Sequence, residues 1–102
     1  MTPEANIDTY SGIVIHPDGV MNTVALPPDA RGRLRALQEL VGGCIEGVAL
    51  PDGRYMLVNE NGKDGPHIIN QVATDLVLQE EAIRADDYIA GVAVILPKEV
   101  LE

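Results

Sequence analysis

Short β-rich runs alternate with amphipathic stretches along the chain, and turn residues separate them. Four of these runs are predicted strands: residues 12–16, 20–26, 44–50 and 54–58. Pro17-Asp18-Gly19 lies between the first two, and Pro51-Asp52-Gly53 lies between the other two. Because Pro presets φ and Gly accepts a positive φ, each pair is predicted to form a β-hairpin. The repeated tripeptide indicates shared turn chemistry rather than a duplication.

Two stretches have the spacing of amphipathic helices. Residues 30–41 follow a candidate N-cap, Asp29, and end at Gly42-Gly43, since Gly tolerates the left-handed conformation at a helix end. The predicted buried face of this helix is Leu34, Leu37, Leu40 and Val41, with Arg31 and Arg35 exposed. The second helix is predicted over residues 68–78, with an apolar stripe of Ile69, Val72, Ala73, Leu76 and Val77. Residues 79–87 either extend it or form a short second turn.

The last apolar run, residues 88–96, is apolar on both alternating faces and stops at Pro97. This pattern predicts an interior strand, with Val92, Val94 and Ile95 nearly fully buried. The order is ββα-ββα-β, which indicates an α+β fold with a mainly antiparallel sheet of about five strands. Residues 12–97 are expected to form one domain, between a flexible tail at 1–11, from which Ile7 and Tyr10 could dock, and a short tail at 98–102.

The net charge of the chain limits the classes of partner that it can bind. The 102 residues include 16 acids and 7 bases, for a net charge of −9. This argues against direct nucleic-acid binding, which needs cations that displace counterions from phosphates, and against binding to an anionic membrane. Excess acid is common for solubility alone. The alternative is a surface that imitates nucleic acid or meets a basic partner.

The single cysteine, Cys44, allows no internal disulfide and is expected to be a buried structural thiol, because it opens an apolar run. No apolar run has the length of a transmembrane helix, and residues 1–8 lack the basic and apolar regions of a signal peptide. A cytoplasmic location is therefore expected.

Catalytic and metal-binding motifs are sparse. The sequence has neither a phosphate-binding P-loop nor a dinucleotide-binding Gly pattern, and Ser11 is its only serine. His16 and His67 lie far apart, and one cysteine cannot form a structural zinc site. We therefore expect no metal and no cofactor, and a protein that is more consistent with binding than with catalysis.

Polar side chains are densest in residues 59–70, which connect a predicted strand to a predicted helix. The candidate ligand- or partner-binding residues are Asn59, Glu60, Asn61, Lys63, His67 and Asn70. Glu60 and Asn70 are predicted to be the principal contacts, because loops between rigid elements commonly carry binding groups. The alternative is structural: these side chains cap the second helix and brace the loop. Arg31 and Arg35 form a secondary basic patch, or a solvated helix face with an Arg35–Glu39 pair.

Four ordered motifs resemble a family of short, uncharacterised proteins. They are Leu37-x-x-x-Val41-Gly42-Gly43, Asn59-Glu60-x-Gly62-Lys63, Asn70-x-x-Ala73-Thr74 and the last strand around Gly91. The resemblance covers residues 12–97 and points to a domain-of-unknown-function family from bacteriophages, plasmids and actinobacterial or clostridial genomes. It implies an accessory protein of a mobile element, without an assigned activity. Relatives often carry an acidic residue after the Gly, where this chain has Val92.

Three functional hypotheses follow. The first is a non-enzymatic accessory protein of a phage or mobile element that binds a host protein or small ligand, which a flat, exposed apolar patch would favour. The second is a ligand-binding or sequestering protein, or an enzyme, with its site in residues 59–70, which a pocket beside Glu60 and Asn70 would favour. The third is an acidic nucleic-acid mimic that inhibits a DNA-binding enzyme, which needs carboxylates in rows at phosphate spacing.

Overall fold

A computed structural model describes residues 10–65 and 68–97 of the chain, and within them it forms seven regular elements. In chain order these are β1 (Ser11–Ile15), β2 (Met21–Ala25), α1 (Ala30–Val41), β3 (Ile45–Ala49), β4 (Arg54–Asn59), α2 (Gln71–Gln79) and β5 (Ala93–Pro97). The predicted α+β class and the order ββα-ββα-β are confirmed. Tyr10 and Ser11, assigned to the N-terminal tail from sequence, are part of the fold, whereas the remainder of that tail and residues 98–102 lie outside the described residues.

The five strands form one antiparallel sheet in the order β2-β1-β5-β4-β3. β5 lies between the two hairpins: Val94 is opposite Val14 of β1 on one side and opposite Leu57 of β4 on the other. The predicted central closing strand is therefore confirmed. Val94 is fully buried and Ile95 nearly so.

β5 is shorter than the apolar run predicted. It begins at Ala93 rather than at residue 88, because the backbone of Ile89 and Gly91 bonds to the loop before α2 and to α2 instead of to neighbouring strands. Gly91 has φ of +82°, which bends the chain before the strand begins. Val92, predicted to be nearly fully buried, is only half-buried at this bend.

Both hairpin turns have the same construction. Gly19 and Gly53 each have φ of +92°, a conformation that L side chains rarely adopt. In the first turn Asp18 Oδ1 accepts from the Val20 amide, and in the second Asp52 Oδ1 accepts from the Arg54 amide. The backbone N–H of Arg54 lowers the pKa of Asp52 in this way. This geometry agrees with the prediction that the repeated Pro-Asp-Gly tripeptide reflects shared turn chemistry.

The sheet is covered by one helix on each face. Leu37 and Val41 of α1 pack with Val14, Leu57, Val94 and Leu96 on the first face. Ala73 and Val77 of α2 pack with Ile15, Met56, Val58, Ala93 and Ile95 on the second. Successive strand residues point to opposite faces, so each buried strand contributes to both cores. The fold is therefore a three-layer sandwich with an aliphatic interior.

The buried face of α1 is rotated from the one predicted. Leu37 and Val41 are buried, but Leu34 is 50% exposed and Arg33 is only 7% exposed. The Arg33 guanidinium donates to the carbonyls of Pro27 and Pro28 and lies over the Tyr10 ring, 4.6 Å from its centroid. These contacts stabilise the positive charge of Arg33, which would otherwise be costly to bury. The exposure of Arg31 and Arg35 is confirmed.

α2 begins three residues later than predicted, because Asn70 is its N-cap: Asn70 Oδ1 accepts from the Ala73 amide. Ile69 precedes the helix, and Ile69 and Val72, both assigned to the apolar stripe, are exposed. The helix ends at Gln79, so of residues 79–87 only Gln79 extends it.

Cys44, expected to be buried, is exposed, because it directly precedes β3, a strand at the edge of the sheet. The described helices are all too short to cross a membrane.

Candidate functional site

A cleft of about 790 Å³ opens on the α2 side of the sheet, at the β3 end. One wall is formed by the β3–β4 hairpin, with Glu46 and Val48 of β3 and with Val58 of β4 opposite Glu46. The second wall is the loop after β4, residues 59–64. The third is the irregular segment between α2 and β5, residues 81–90. The cleft therefore combines the loop singled out from the sequence with a segment distant from it along the chain.

The described lining of the cleft is strongly acidic. It has five carboxylates, Glu46, Glu60, Asp64, Glu81 and Asp87, and two cations, Lys63 and Arg84. Lys63 is paired with Asp87 across the cleft. Arg84 lies 3.5 Å from Asp86, which is not part of the lining. Four of the carboxylates thus have no ion-pair partner among residues 10–65 and 68–97.

Lys63 and Asp87 form the polar bridge between the loop and the segment after α2. The hydrogen bond from the Lys63 ammonium lowers the pKa of Asp87, and the same bond raises the pKa of Lys63. The Lys63 ammonium also lies 4.9 Å from the centroid of the Tyr88 ring, a cation–π distance. The Asp87 carboxylate accepts the Tyr88 amide as well, so one carboxylate orients both residues.

Asn70, predicted to be a principal contact, lies in the interior with no exposed surface. Its Nδ2 donates to the carbonyl of Ile15, at 2.9 Å, and to that of Gly91, also at 2.9 Å. Its Oδ1 caps α2. Both amide hydrogens are therefore used inside the fold. Asn70 therefore presents no surface to a ligand in this structure, and the structural alternative accounts for all of these bonds.

Asn59 has a similar internal role. It is buried at the end of β4, where Nδ2 donates to the Val41 carbonyl of α1 and Oδ1 accepts from the Asn61 amide. Its side chain braces the loop rather than presenting itself to solvent.

Three predicted residues are exposed on the loop: Glu60, Asn61 and Lys63. Glu60 and Lys63 line the cleft, whereas Asn61 is not part of its lining. His67 lies outside the described residues. A role for the exposed loop residues in binding therefore stays a prediction, now with a defined cleft beside them.

Glu81 occupies an unusual backbone position at the cleft. Its φ is +56°, and no other described non-glycine residue has a positive φ. The Glu81 amide donates to Leu78, and the Ala82 amide donates to Val77. This is the Schellman ending, whose left-handed residue is usually Gly. α1 ends at a left-handed residue as well, Gly42, although there the amides of Gly42 and Gly43 both donate to Gln38. At the end of α2, Glu81 therefore occupies a position whose backbone conformation favours glycine.

The secondary basic patch is not brought to the cleft. Arg31 and Arg35 are exposed on α1, which covers the opposite face of the sheet. Other residues of the cleft are not among those predicted from the sequence, mainly Glu46, Glu81, Asp87 and Tyr88. The run of acids over residues 80–87 was a usable signal, but only the tertiary fold places it opposite residues 59–64.

The described residues contain no group of three or more His, Cys, Asp or Glu side chains placed to hold a metal ion. The chemistry that the cleft offers is ion pairing, hydrogen bonding and stacking on Tyr88.

The comparisons with known proteins identify a family without an assigned activity. No curated protein and no solved structure is significantly similar to the chain. A family model matches residues 10–99, which includes every strand and helix described above. The chain therefore belongs to the family described as Domain of unknown function (DUF3846).

Proposed function

We propose that this protein is a non-enzymatic binding protein that holds a positively charged small ligand or protein segment in its cleft. The observation that carries the proposal is the set of four carboxylates, Glu46, Glu60, Asp64 and Glu81, that line one concave surface without ion-pair partners in the described chain. Carboxylates that converge on a cleft focus a negative potential into it, which raises the local concentration of cations. On the sequence resemblance, the protein acts as an accessory factor of a phage or mobile element.

The backbone of Glu81 supports a role in binding rather than in stability. A left-handed conformation costs an L residue roughly 1–2 kcal/mol, and Gly avoids that cost. Strained residues of this kind cluster at ligand sites, where the surrounding fold holds them in place. A carboxylate at this position is therefore unfavourable for the α2 ending but favourable for a cation in the cleft.

Titration with spermidine, a small flexible polycation, tests the proposal. We expect backbone amide shifts at residues 46–49, 60–64 and 81–90 in NMR spectra. In calorimetry, the double substitution Glu46→Gln with Glu81→Gln should weaken spermidine binding about tenfold at low salt, because two ion pairs are removed. Added salt should reduce this difference.

A matched control is Glu39→Gln, since Glu39 is exposed on α1, away from the cleft. It changes the net charge without changing the cleft, so it should leave spermidine binding nearly as in the wild type. The proposal fails if spermidine shifts no cleft residue, or if Glu39→Gln weakens binding as much as the double substitution does.

A second test separates binding from stability at one residue. Glu81→Gly should raise the free energy of unfolding by about 0.5–1 kcal/mol and weaken spermidine binding. Thermal melting and calorimetry on the same variant measure both effects. Loss of stability in this variant would show that the Glu81 side chain serves the fold.

A further inference from the structure

The cleft lies beside an unpaired edge of the sheet. β3 pairs with β4 on one side, and no described strand lies on its other side. The Glu60 amide donates to Cys44, and the Leu50 amide donates to Arg54. Since hydrogen-bonded pairs alternate along an antiparallel ladder, Glu46 and Val48 also bond to β4. The backbone N–H and C=O groups of Ile45, Gly47 and Ala49 therefore point away from the sheet.

The residues of β3 give this edge little protection. Gly47 and Ala49 are small and exposed, and β3 contains neither proline nor lysine, the residues with which proteins commonly protect edge strands. The unpaired groups of these residues form a template on which another extended chain can add as a sixth strand.

The position of β3 determines which side chains such a strand would bring to the cleft. Glu46 and Val48 project from β3 on the α2 side, where the cleft lies, and Ile45 projects on the α1 side. In an added strand, the residues opposite Glu46 and Val48 would project on the cleft side as well. Alternate residues, roughly 7 Å apart, would then face the acidic lining.

We infer that the β3 edge binds an extended segment of a partner protein, antiparallel to β3, whose alternate residues are lysine or arginine. This inference rests on the proposed function and specifies how the ligand is held: backbone hydrogen bonds to Ile45, Gly47 and Ala49, and ion pairs with the cleft carboxylates.

The charges favour an extended segment with alternating cations over a second copy of the chain as the partner of β3. Each chain has a net charge of −9, and two β3 strands paired antiparallel would bring two Glu46 carboxylates and two acidic clefts together. A segment with alternating cations meets the same surface with complementary charge. The opposite edge, β2, has no charged residue and does not line the cleft, so it provides a control for edge pairing without the charges.

The test uses a short blocked peptide of alternating lysine and valine, and the same peptide with N-methyl groups on alternate residues so that its inward-facing amides cannot donate. Calorimetry should show that N-methylation weakens binding about tenfold, since it removes backbone hydrogen bonds and keeps every charge. Hydrogen exchange at the Gly47 and Ala49 amides should slow when the unmodified peptide binds.

Gly47→Pro tests the same bonds from the side of the protein. Proline removes the outward N–H of Gly47 without breaking the β3–β4 ladder, and a Cβ at this position would meet its nearest atom, Leu57 Cδ2, at 3.6 Å, an ordinary contact. The variant should bind the peptide about tenfold more weakly and weaken spermidine binding much less, because it keeps every cleft carboxylate. Thr23→Pro is the matched control, because alternation from the Leu26–Tyr10 bond makes the Thr23 amide face outward on β2. It should leave peptide binding unchanged.

The outcomes separate the two proposals. If spermidine binds in the cleft but N-methylation does not weaken peptide binding, or the peptide does not bind, the β3 inference is overturned and the proposed function stands. If neither spermidine nor peptide binds, both are overturned. Equal weakening by Thr23→Pro and Gly47→Pro would also overturn the inference. If Gly47→Pro fails to fold, the comparison between methylated and unmethylated peptides still decides.

Discussion

The side chain of Asn70 connects three parts of the fold, so replacing it tests the structure directly. The amide links the end of β1 to the bend before β5, and it caps α2. Asn70→Ala removes the cap, which contributes roughly 1 kcal/mol, and two internal hydrogen bonds, which contribute roughly 0.5–1.5 kcal/mol each. The expected loss of stability is about 3 kcal/mol, a large fraction of the ~5–15 kcal/mol typical of a domain.

Thermal and urea unfolding measure this loss. For a domain of this size, about 3 kcal/mol lowers Tm by roughly 10–20 °C. Asn61→Ala is a matched control, because Asn61 is an exposed asparagine of the same region and its side chain should contribute within ~0.5 kcal/mol of zero. Equal melting of Asn70→Ala and Asn61→Ala would refute the structural role given to Asn70.

Asn70→Asp isolates the two donated hydrogen bonds. Aspartate keeps an oxygen for the Ala73 amide but places its second oxygen against the carbonyls of Ile15 and Gly91. The ionised form is disfavoured there, so the folded-state pKa of this aspartate is raised above its unfolded value near ~3.9. The pH-dependent part of the penalty is therefore absent below about pH 4 and grows by up to ~1.4 kcal/mol per pH unit above it. One donated hydrogen bond is lost at every pH, because a protonated carboxyl has a single donor. A stability difference from wild type that does not increase between pH 4 and pH 7 would contradict this reasoning.

Three further predictions follow from burial and charge. Val94→Asp should prevent folding, as circular dichroism would show, because it places an unpaired charge at a fully buried position of the central strand. Leu37→Ala should cost ~2–5 kcal/mol in denaturant unfolding and Leu34→Ala less than ~1 kcal/mol; equal costs would contradict the observed face of α1. The Lys63–Asp87 pair is partly exposed, so Asp87→Asn should cost less than ~1 kcal/mol at neutral pH. Because the pKa of Asp87 is lowered and that of Lys63 is raised, the stabilisation is present between about pH 4 and pH 10. It is lost as the pH falls through the Asp87 pKa or rises through the Lys63 pKa, so a cost that persists in melts outside this range would not come from the ion pair.

The features predicted correctly from sequence depend on residues close together in the chain. The Pro-Asp-Gly turns, the Asp29 cap and the Gly42 ending of α1 each use neighbours within a few positions. The central strand was also recognisable, because burial on both faces leaves a continuous apolar run. Turns and helix caps of this kind can be predicted from the sequence alone.

The errors arise where a side chain bonds to distant backbone. Asn70 was interpreted as a ligand contact, but its acceptors lie 55 and 21 residues away along the chain. Arg33 is buried where Leu34 is predicted to be, because two proline carbonyls and Tyr10 stabilise its guanidinium in the interior. The cleft depends on distant residues for the same reason: its loop wall, residues 59–64, belongs to the polar stretch 59–70 chosen from the sequence, and the wall formed by residues 81–90 depends on tertiary packing.

The position of β5 between the two hairpins also affects the order of folding during synthesis. A ribosome completes both hairpins before it makes Ala93–Pro97, and in the described sheet the hairpins do not pair with each other but each pairs with this strand. Until those residues leave the exit tunnel, the nascent chain carries β1 and β4 as open edges, which are prone to pair with other chains. A translation product that ends before Ala93 therefore keeps both hairpins but lacks the strand that joins them, which makes it a substrate for chaperones and proteases rather than a smaller working domain.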